Sequence, residues 1–490
     1  MTDSMADYQK VISSLKKRPN GATAADISSV TALPLSTVRE LLPKAADEFS
    51  GHLRVTQSGE ILYHFPNGFT SRFRGIGVFL KKAAGKIASF TKKALALLFK
   101  IWIMVMLIGY FILFLAIAVG SVFLSLASKS DNRGGRSDGN LGFGLFEIMF
   151  RLWFYSELTK PRYDNGYGRI RKNKKTNRPM HKAIFSFIFG EEDPNIDWEE
   201  QQMKDVIAFL QANNGVISLA EYMTFTGENS LDAEKSILSF CSKFEGSPEV
   251  TEDGTIVYRF DELLMRHDSR GLKKLSPGVK KLKKFSANSK VMNAAFAIIN
   301  GFNLIFGSYF FYQATTARLL VTELQYQAAS KIYAYTHYFA NFLTAEPQVL
   351  IGVVLGIIPV VFSLFFWLIP SVRYFLEKKE NNNIKLSNFK RFSFSRIWSS
   401  PIKVNTDNLY HPAEELNPKD LESARDRVIK EIGAVSNPEV ETDETGKMIY
   451  SFNELEREKQ AVKKYRASVD VSRLQIGKTI FDSNEKLPDL

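Results

Sequence analysis

The chain has 490 residues, a formal net charge of +12 and one cysteine. That length accommodates roughly three or four domains at about 150 residues each, and the lone Cys241 excludes an intramolecular disulfide or a cysteine-rich metal or iron–sulfur centre built by this chain alone. The excess of Lys and Arg suits either nucleic acid or anionic lipid, so its distribution along the chain decides between them.

The opening MTDSMADYQK has no charged-then-apolar leader, and no cleaved export signal is expected. Residues 1–70 read as a small module of three helices and a hairpin. Tyr8, Val11, Ile12 and Leu15 recur at helical spacing, TAADISSVT follows a Thr cap, and Leu35, Val38, Leu41 and Leu42 line one face of a third helix. In HLRVTQSGEILYHF, Gly59 permits a turn, after which Ile61, Tyr63 and Phe65 alternate with Leu62 and His64 at the strand period. Helix, helix, helix, hairpin is the winged-helix order.

Residues 71–96 read as a basic amphipathic helix resting on anionic lipid, with Lys81, Lys82, Lys92 and Lys93 toward the headgroups. A first membrane region, 97–156, opens with the apolar run 97–127, longer than the roughly twenty residues a crossing helix needs. Basic residues flank this run on both sides, in 72–100 and again in the linker 157–198, and one crossing cannot leave both inside. Either GNLGFGLFEIMFRLWFYS at 139–156 is a short further crossing, with Glu147 and Arg151 able to pair four residues apart, or it lies at the interface and the first span forms a bent re-entrant hairpin around Gly109 and Gly120. Four crossings and three both remain open.

A second module occupies 199–265 and ends in TEDGTIVYRF, followed by a basic juxtamembrane segment at 266–290 that holds Lys280, Lys281, Lys283 and Lys284. The second membrane region, 291–372, contains spans at 291–314 and 349–369, with Pro359 expected to kink the latter. Between these spans the residues 315–348 carry only Arg318 and Lys331 as Lys or Arg, which places that loop outside and the modules on the cytoplasmic side. YAYTHYFANF in that loop has the pattern of an interfacial helix. A basic linker, 373–417, leads to residues 418–490, where one helix and a hairpin stand out as a partial third module. Val55, Gly59, Ile61, Tyr63 and Phe65 correspond to Val250, Gly254, Ile256, Tyr258 and Phe260, and then to Val440, Gly446, Met448, Tyr450 and Phe452. Packing of the hairpin on its helices explains these positions structurally.

The fold class expected is thus an α-helical integral membrane protein with repeated small α+β winged-helix-like soluble modules. Its third helices are not basic reading heads: Arg39 and Lys44 face Glu40, Asp47 and Glu48 in the first copy, and Lys235 and Lys243 face Asp232, Glu234 and Glu245 in the second. Counterion release needs several unopposed cations, so nucleic acid is not the expected partner.

The YxF hairpin ends, together with HKAIFSFIFGEEDPNIDWEEQ at 181–201, resemble a poorly characterised family of bacterial, cyanobacterial and plastid membrane proteins with repeated winged-helix-like modules. The resemblance implies no catalytic residue for this chain. Some plant members carry an iron–sulfur label, for which Cys241 alone offers no support.

Six scattered histidines have no two-His metal spacing, and SRLQIGKT at 472–479 lacks the first glycine of a phosphate loop. The run Glu191, Glu192, Asp193 before Pro194 and Asn195 reads as a capping turn ahead of a cation site. No catalytic, cofactor-binding or metal residue is assigned, and no enzymatic activity is expected. The expected function is a membrane scaffold or assembly factor at an anionic surface, with lipid and an unidentified membrane or cytoplasmic protein as partners and a homo-oligomer left open. A membrane-tethered nucleic-acid-binding regulator and a small channel or transporter are the alternatives.

Overall fold

The computed structural model of the chain describes residues 2–18, 20–66, 68–70, 76–127, 178–267, 278–319, 331–409, 416–444, 446–474 and 476–483. Chain contacts divide it into two compact units: Met1–Lys82 with Asp193–Leu282 and Glu380–Leu490, and Ala83–Glu192 with Lys283–Lys379. The suggested crossing at 139–156 lies outside the described residues, as does the basic stretch up to residue 177.

The chain opens with α1 (Thr2–Leu15), α2 (Ala24–Thr31), α3 (Leu35–Phe49), β1 (His52–Thr56) and β2 (Ile61–His64). Thr23 and Asp26 form a capping box that starts α2, and the chain leaves α2 and α3 through left-handed Ala32 and Ser50. Next come α4 (Ile76–Met104), a π-helical turn (Val105–Gly109) and α5 (Tyr110–Ala127). This run is helical straight through Gly109, so no chain reversal separates the basic segment from the apolar one. After α6 (Met180–Phe189), the order α7 (Trp198–Ala212), β3 (Val216–Ser218), α8 (Leu219–Thr226), α9 (Ser230–Phe244), β4 (Ser247–Val250) and β5 (Ile256–Arg259) follows. Here Ser218 and Glu221 build a second capping box, and left-handed Gly227 and Glu245 close α8 and α9.

Then come α10 (Lys290–Leu319), α11 (Lys331–Ala340), α12 (Pro347–Leu350), a second π-helical turn (Ile351–Ile357) and the long α13 (Ile358–Ser399). The π turn lies immediately before Pro359. A proline ring presses on the carbonyl four residues back, and a widened turn takes up that clash within the helix. The chain ends with β6 (Val404–Asn405), a 3-10 turn (Thr406–Asn408), α14 (Pro418–Gly433), β7 (Glu439–Thr442), β8 (Met448–Ser451), α15 (Asn453–Ser468), a 3-10 turn (Val471–Leu474) and β9 (Thr479–Asp482).

In the first unit the strands form three small antiparallel sheets, ordered β2-β1-β9, β3-β5-β4 and β6-β8-β7. Tyr63, Tyr258 and Tyr450 occupy matching places: each bridges a short extended segment, through Ala22, Ile217 and Val404 respectively. One continuous core joins all three sheets to their helices, and it includes Val11, Leu42, Phe65, Phe244, Phe260 and Phe452. Those three regions therefore fold against one another within the unit.

Among the described residues of the second unit, three helical runs are long and apolar enough to cross a membrane: Phe90–Val122, Lys290–Thr316 and the start of Pro347–Ser399. Phe114 stacks on Phe306 and Phe310. A Cβ at Gly356 would meet the Phe311 backbone at 2.9 Å, and one at Gly307 would meet Val360 at 3.1 Å, so glycine allows α10 to approach the last run closely.

Candidate functional site

The hairpin residues singled out above belong to the core. Tyr63, Phe65, Tyr258, Phe260 and Phe452 are buried and Tyr450 is half-buried. Gly51 and Gly246 lie against the rings of Phe65 and Phe260, where an added Cβ would come within 2.6 and 2.2 Å. These side chains hold the sheets and present little surface to a ligand.

The sequence pattern gave no hint of two linked carboxylates. Asp26 is buried in its capping box, accepting from the Thr23 amide and hydroxyl and from the His267 amide, with the Arg266 guanidinium 3.7 Å away. Glu221, equally buried, accepts from the Ser218 amide and pairs with Arg466. Burial pushes the Glu221 carboxyl up, against the opposing pull of Arg466. Each arginine follows a later hairpin: Arg266 comes after β5 and Arg466 lies in α15. These pairs thus tie distant parts of the unit together, which local spacing in the sequence could not reveal. Cys241 is buried, and its thiol is pushed up to about 11 by that burial.

Of the basic residues, Lys92 and Lys93 are exposed, and Lys81 and Lys82 lie in α4 with side chains outside the description. Lys281 and Lys284 are exposed and Lys283 is half-buried. Lys280 stands apart: its ammonium sits 5.5 Å from the Trp198 ring, and burial followed by nearby Arg391 lowers its pKa. Two asparagines of the first unit clasp the first two residues of this basic strap, 280–284. Asn388 bonds both the amide and the carbonyl of Lys280, and Asn195 does the same for Lys281. Asn195 is the last residue of the EEDPN turn, so the turn anchors the strap.

In the second unit the same motif meets an arginine. Arg373 donates to the carbonyls of Phe187, Ile188 and Phe285 and pairs with Glu377 at 2.7 Å, closing the C-terminal end of α6. Glu191 accepts from both terminal nitrogens of Arg178, and from Ser186 and the Ala287 amide. Those partners hold its carboxyl below the ordinary range, with Arg178 the largest cause.

Among the apolar helices, polar side chains donate to main-chain carbonyls, two of them within the π turns. Asn303 donates to Leu107 at 2.7 Å and Tyr110 donates to Val354 at 2.8 Å, while Asn300 donates to the Ser363 carbonyl at 3.1 Å. Lys100 rests over the Phe185 ring at 4.4 Å. Among the described residues, no three His, Cys, Asp or Glu side chains gather as a metal-binding group.

No family model matches the chain, and no solved structure matches it. The chain is similar to an uncharacterised chloroplastic protein of Arabidopsis thaliana, 25% identical over 406 residues that cover 77% of this chain and 70% of the plant protein.

Proposed function

We propose that the protein is an integral membrane scaffold or assembly factor, in which winged-helix-like modules on the cytoplasmic side of an anionic membrane bind other proteins. The observation that carries this reading is the coexistence of two differently built units in one chain. One has helices long enough to cross hydrocarbon with Trp102, Leu364 and Phe365 exposed; the other unites three hairpin-bearing regions in one core. The matching tyrosine bridges of all three regions, and the left-handed helix exits and capping boxes of the first two, support descent from one module.

The exposed lysines of α4 and of the strap suit anionic lipid, and a bacterial inner membrane or equivalent organelle membrane fits the chloroplastic description of the plant relative. Reporter fusions at 70, 230 and 480 report inside and those at 134 and 330 outside in this reading; residue 70 outside rejects the four-crossing arrangement. Crosslinking in native membranes should capture a protein on the modules, and recovery of nucleic acid in its place would favour the regulator.

A further inference from the structure

We infer that the outer edge of β1 is a strand-docking site, occupied here by the chain's own C-terminal strand and open to an extended partner segment that carries a carboxylate opposite Arg54. The inference deepens the scaffold reading by naming its contact surface, and its test is independent of membrane crossing.

The three sheets differ at this edge. In each hairpin the first strand, β1, β4 or β7, has one side turned away from its partner. Among the described residues, only β1 has a further strand there: β4 and β7 are the outer strands of their sheets. The added strand is therefore dispensable for building such a hairpin. The other two edges also carry features that discourage pairing, Pro248 and Glu249 on β4 and Glu439 and Glu441 on β7. By contrast β1, with the sequence HLRVT, has no proline and no acidic residue.

β9 is held mainly through its backbone and one ion pair. Arg54 pairs opposite Asp482 and Val55 opposite Phe481, with a register shift before Thr56–Thr479. The Ser483 amide donates to the Leu53 carbonyl at 2.9 Å, the Gln57 amide donates to the Lys478 carbonyl at 3.0 Å, and the Ser483 hydroxyl accepts from the Leu53 amide at 3.0 Å. The Arg54 guanidinium donates to Asp482 at 2.6 Å. The apolar side chains contribute little, since Ile480 is 65% and Phe481 47% exposed. Backbone pairing supplies affinity and a few side chains supply selectivity, as in strand-addition recognition. A tethered strand of this kind competes at an effective concentration on the order of millimolar, so an incoming segment must match or exceed that.

The test uses the chain truncated after Ile476 beside the full-length chain, both in detergent, with a fluorescent peptide of sequence GKTIFDS, residues 477–483. Saturable binding to the truncated chain, at least tenfold weaker binding to the full-length chain, and a severalfold loss with Arg54→Ala or with alanine replacing the peptide's aspartate are expected. Hydrogen exchange on full-length Ile480→Pro gives a second readout: the Gln57 amide loses protection while the β1–β2 amides keep theirs. Equal binding to both chains, or none to a folded truncated chain, overturns the inference. Unfolding of β1–β2 in either variant also overturns it, because β9 would then be part of the hairpin's own fold.

Discussion

The first two sheets and the third solve one packing problem with different parts. In the first two, a separate short helix starts on a capping box whose carboxylate is buried, Asp26 in α2 and Glu221 in α8, and an arginine from elsewhere in the unit sits beside it. Around the third sheet that helix is replaced by the 3-10 turn Thr406–Asn408, where Asp407 is exposed and pairs with Arg425 and Lys447. The residues before β6 come from the far end of α13. The tyrosine bridge is retained all the same, through Tyr450 and Val404. Sheet and core therefore tolerate replacement of a helix, provided the carboxylate that its cap would bury stays in water.

Breaking the buried pair should give the largest effect. Arg466→Met leaves Glu221 buried without its guanidinium, a change that costs about 3–5 kcal/mol, read as a lower denaturation midpoint of the first unit. Adding Glu221→Gln should recover part of that loss, since the unpaired charge is then gone. Asp407→Asn, the counterpart around the third sheet, should lower the midpoint far less, because its ion pairs with Arg425 and Lys447 lie in solvent.

Glycines extend the contrast. Gly246→Ala forces a Cβ against the Phe260 ring and should cost about 1–3 kcal/mol, with Gly51→Ala somewhat milder at its longer approach. Around the third sheet, a Cβ on Gly433 meets only Pro438 at 3.4 Å, so Gly433→Ala should be close to neutral. The turn glycines make the opposite comparison. Gly59, Gly254 and Gly446 have φ of 84°, 79° and 80° with open space around them. Alanine at any of the three should cost about 1 kcal/mol, from backbone conformation alone. Unequal losses there would show that the three turns are held differently.

Much of this architecture was legible because it depends on local pattern. Apolar length marks the three crossing-competent helices, and period-two alternation with a glycine marks each hairpin. The expected kink at Pro359 and a bend at Gly109 were less legible: π turns depend on what a neighbouring helix supplies, here Asn303 and Tyr110. Third strands were also hidden, since Val404–Asn405 is two residues long and β9 joins a hairpin more than 400 residues earlier. The arginine partners escaped for the same reason. In the sequence Arg373 is only the first residue of the basic linker 373–417, whereas its three carbonyl contacts arise from residues about 90 and 185 positions away.

The smallest expected effect concerns pH, and it probes the second sheet against the third. Glu458 of α15 lies among Ser218, Ala220 and Glu221, where burial, and secondarily the charge of Glu221, raise its pKa above the ordinary 4.5. A carboxyl raised on folding holds its proton more tightly in the folded chain. Its contribution to stability is then complete below pH 4.5 and is lost as the pH climbs through the folded-state value. Glu458→Gln removes that titration, so the stability of the wild-type chain relative to the variant should fall as the pH rises above about 4.5. Groups held below the ordinary range, such as Glu191 and Glu200, slope the other way but are common to both chains and cancel in the difference. The same comparison with Asp407→Asn should stay flat over that range and change only below about pH 3.8, where wild-type stability relative to the variant falls as the pH drops, because Lys447 lowers the Asp407 pKa. Parallel slopes for the two variants would mean that α15 does not bury a carboxyl beside the second capping box, and the contrast between the capped sheets and the uncapped one would lose its electrostatic basis.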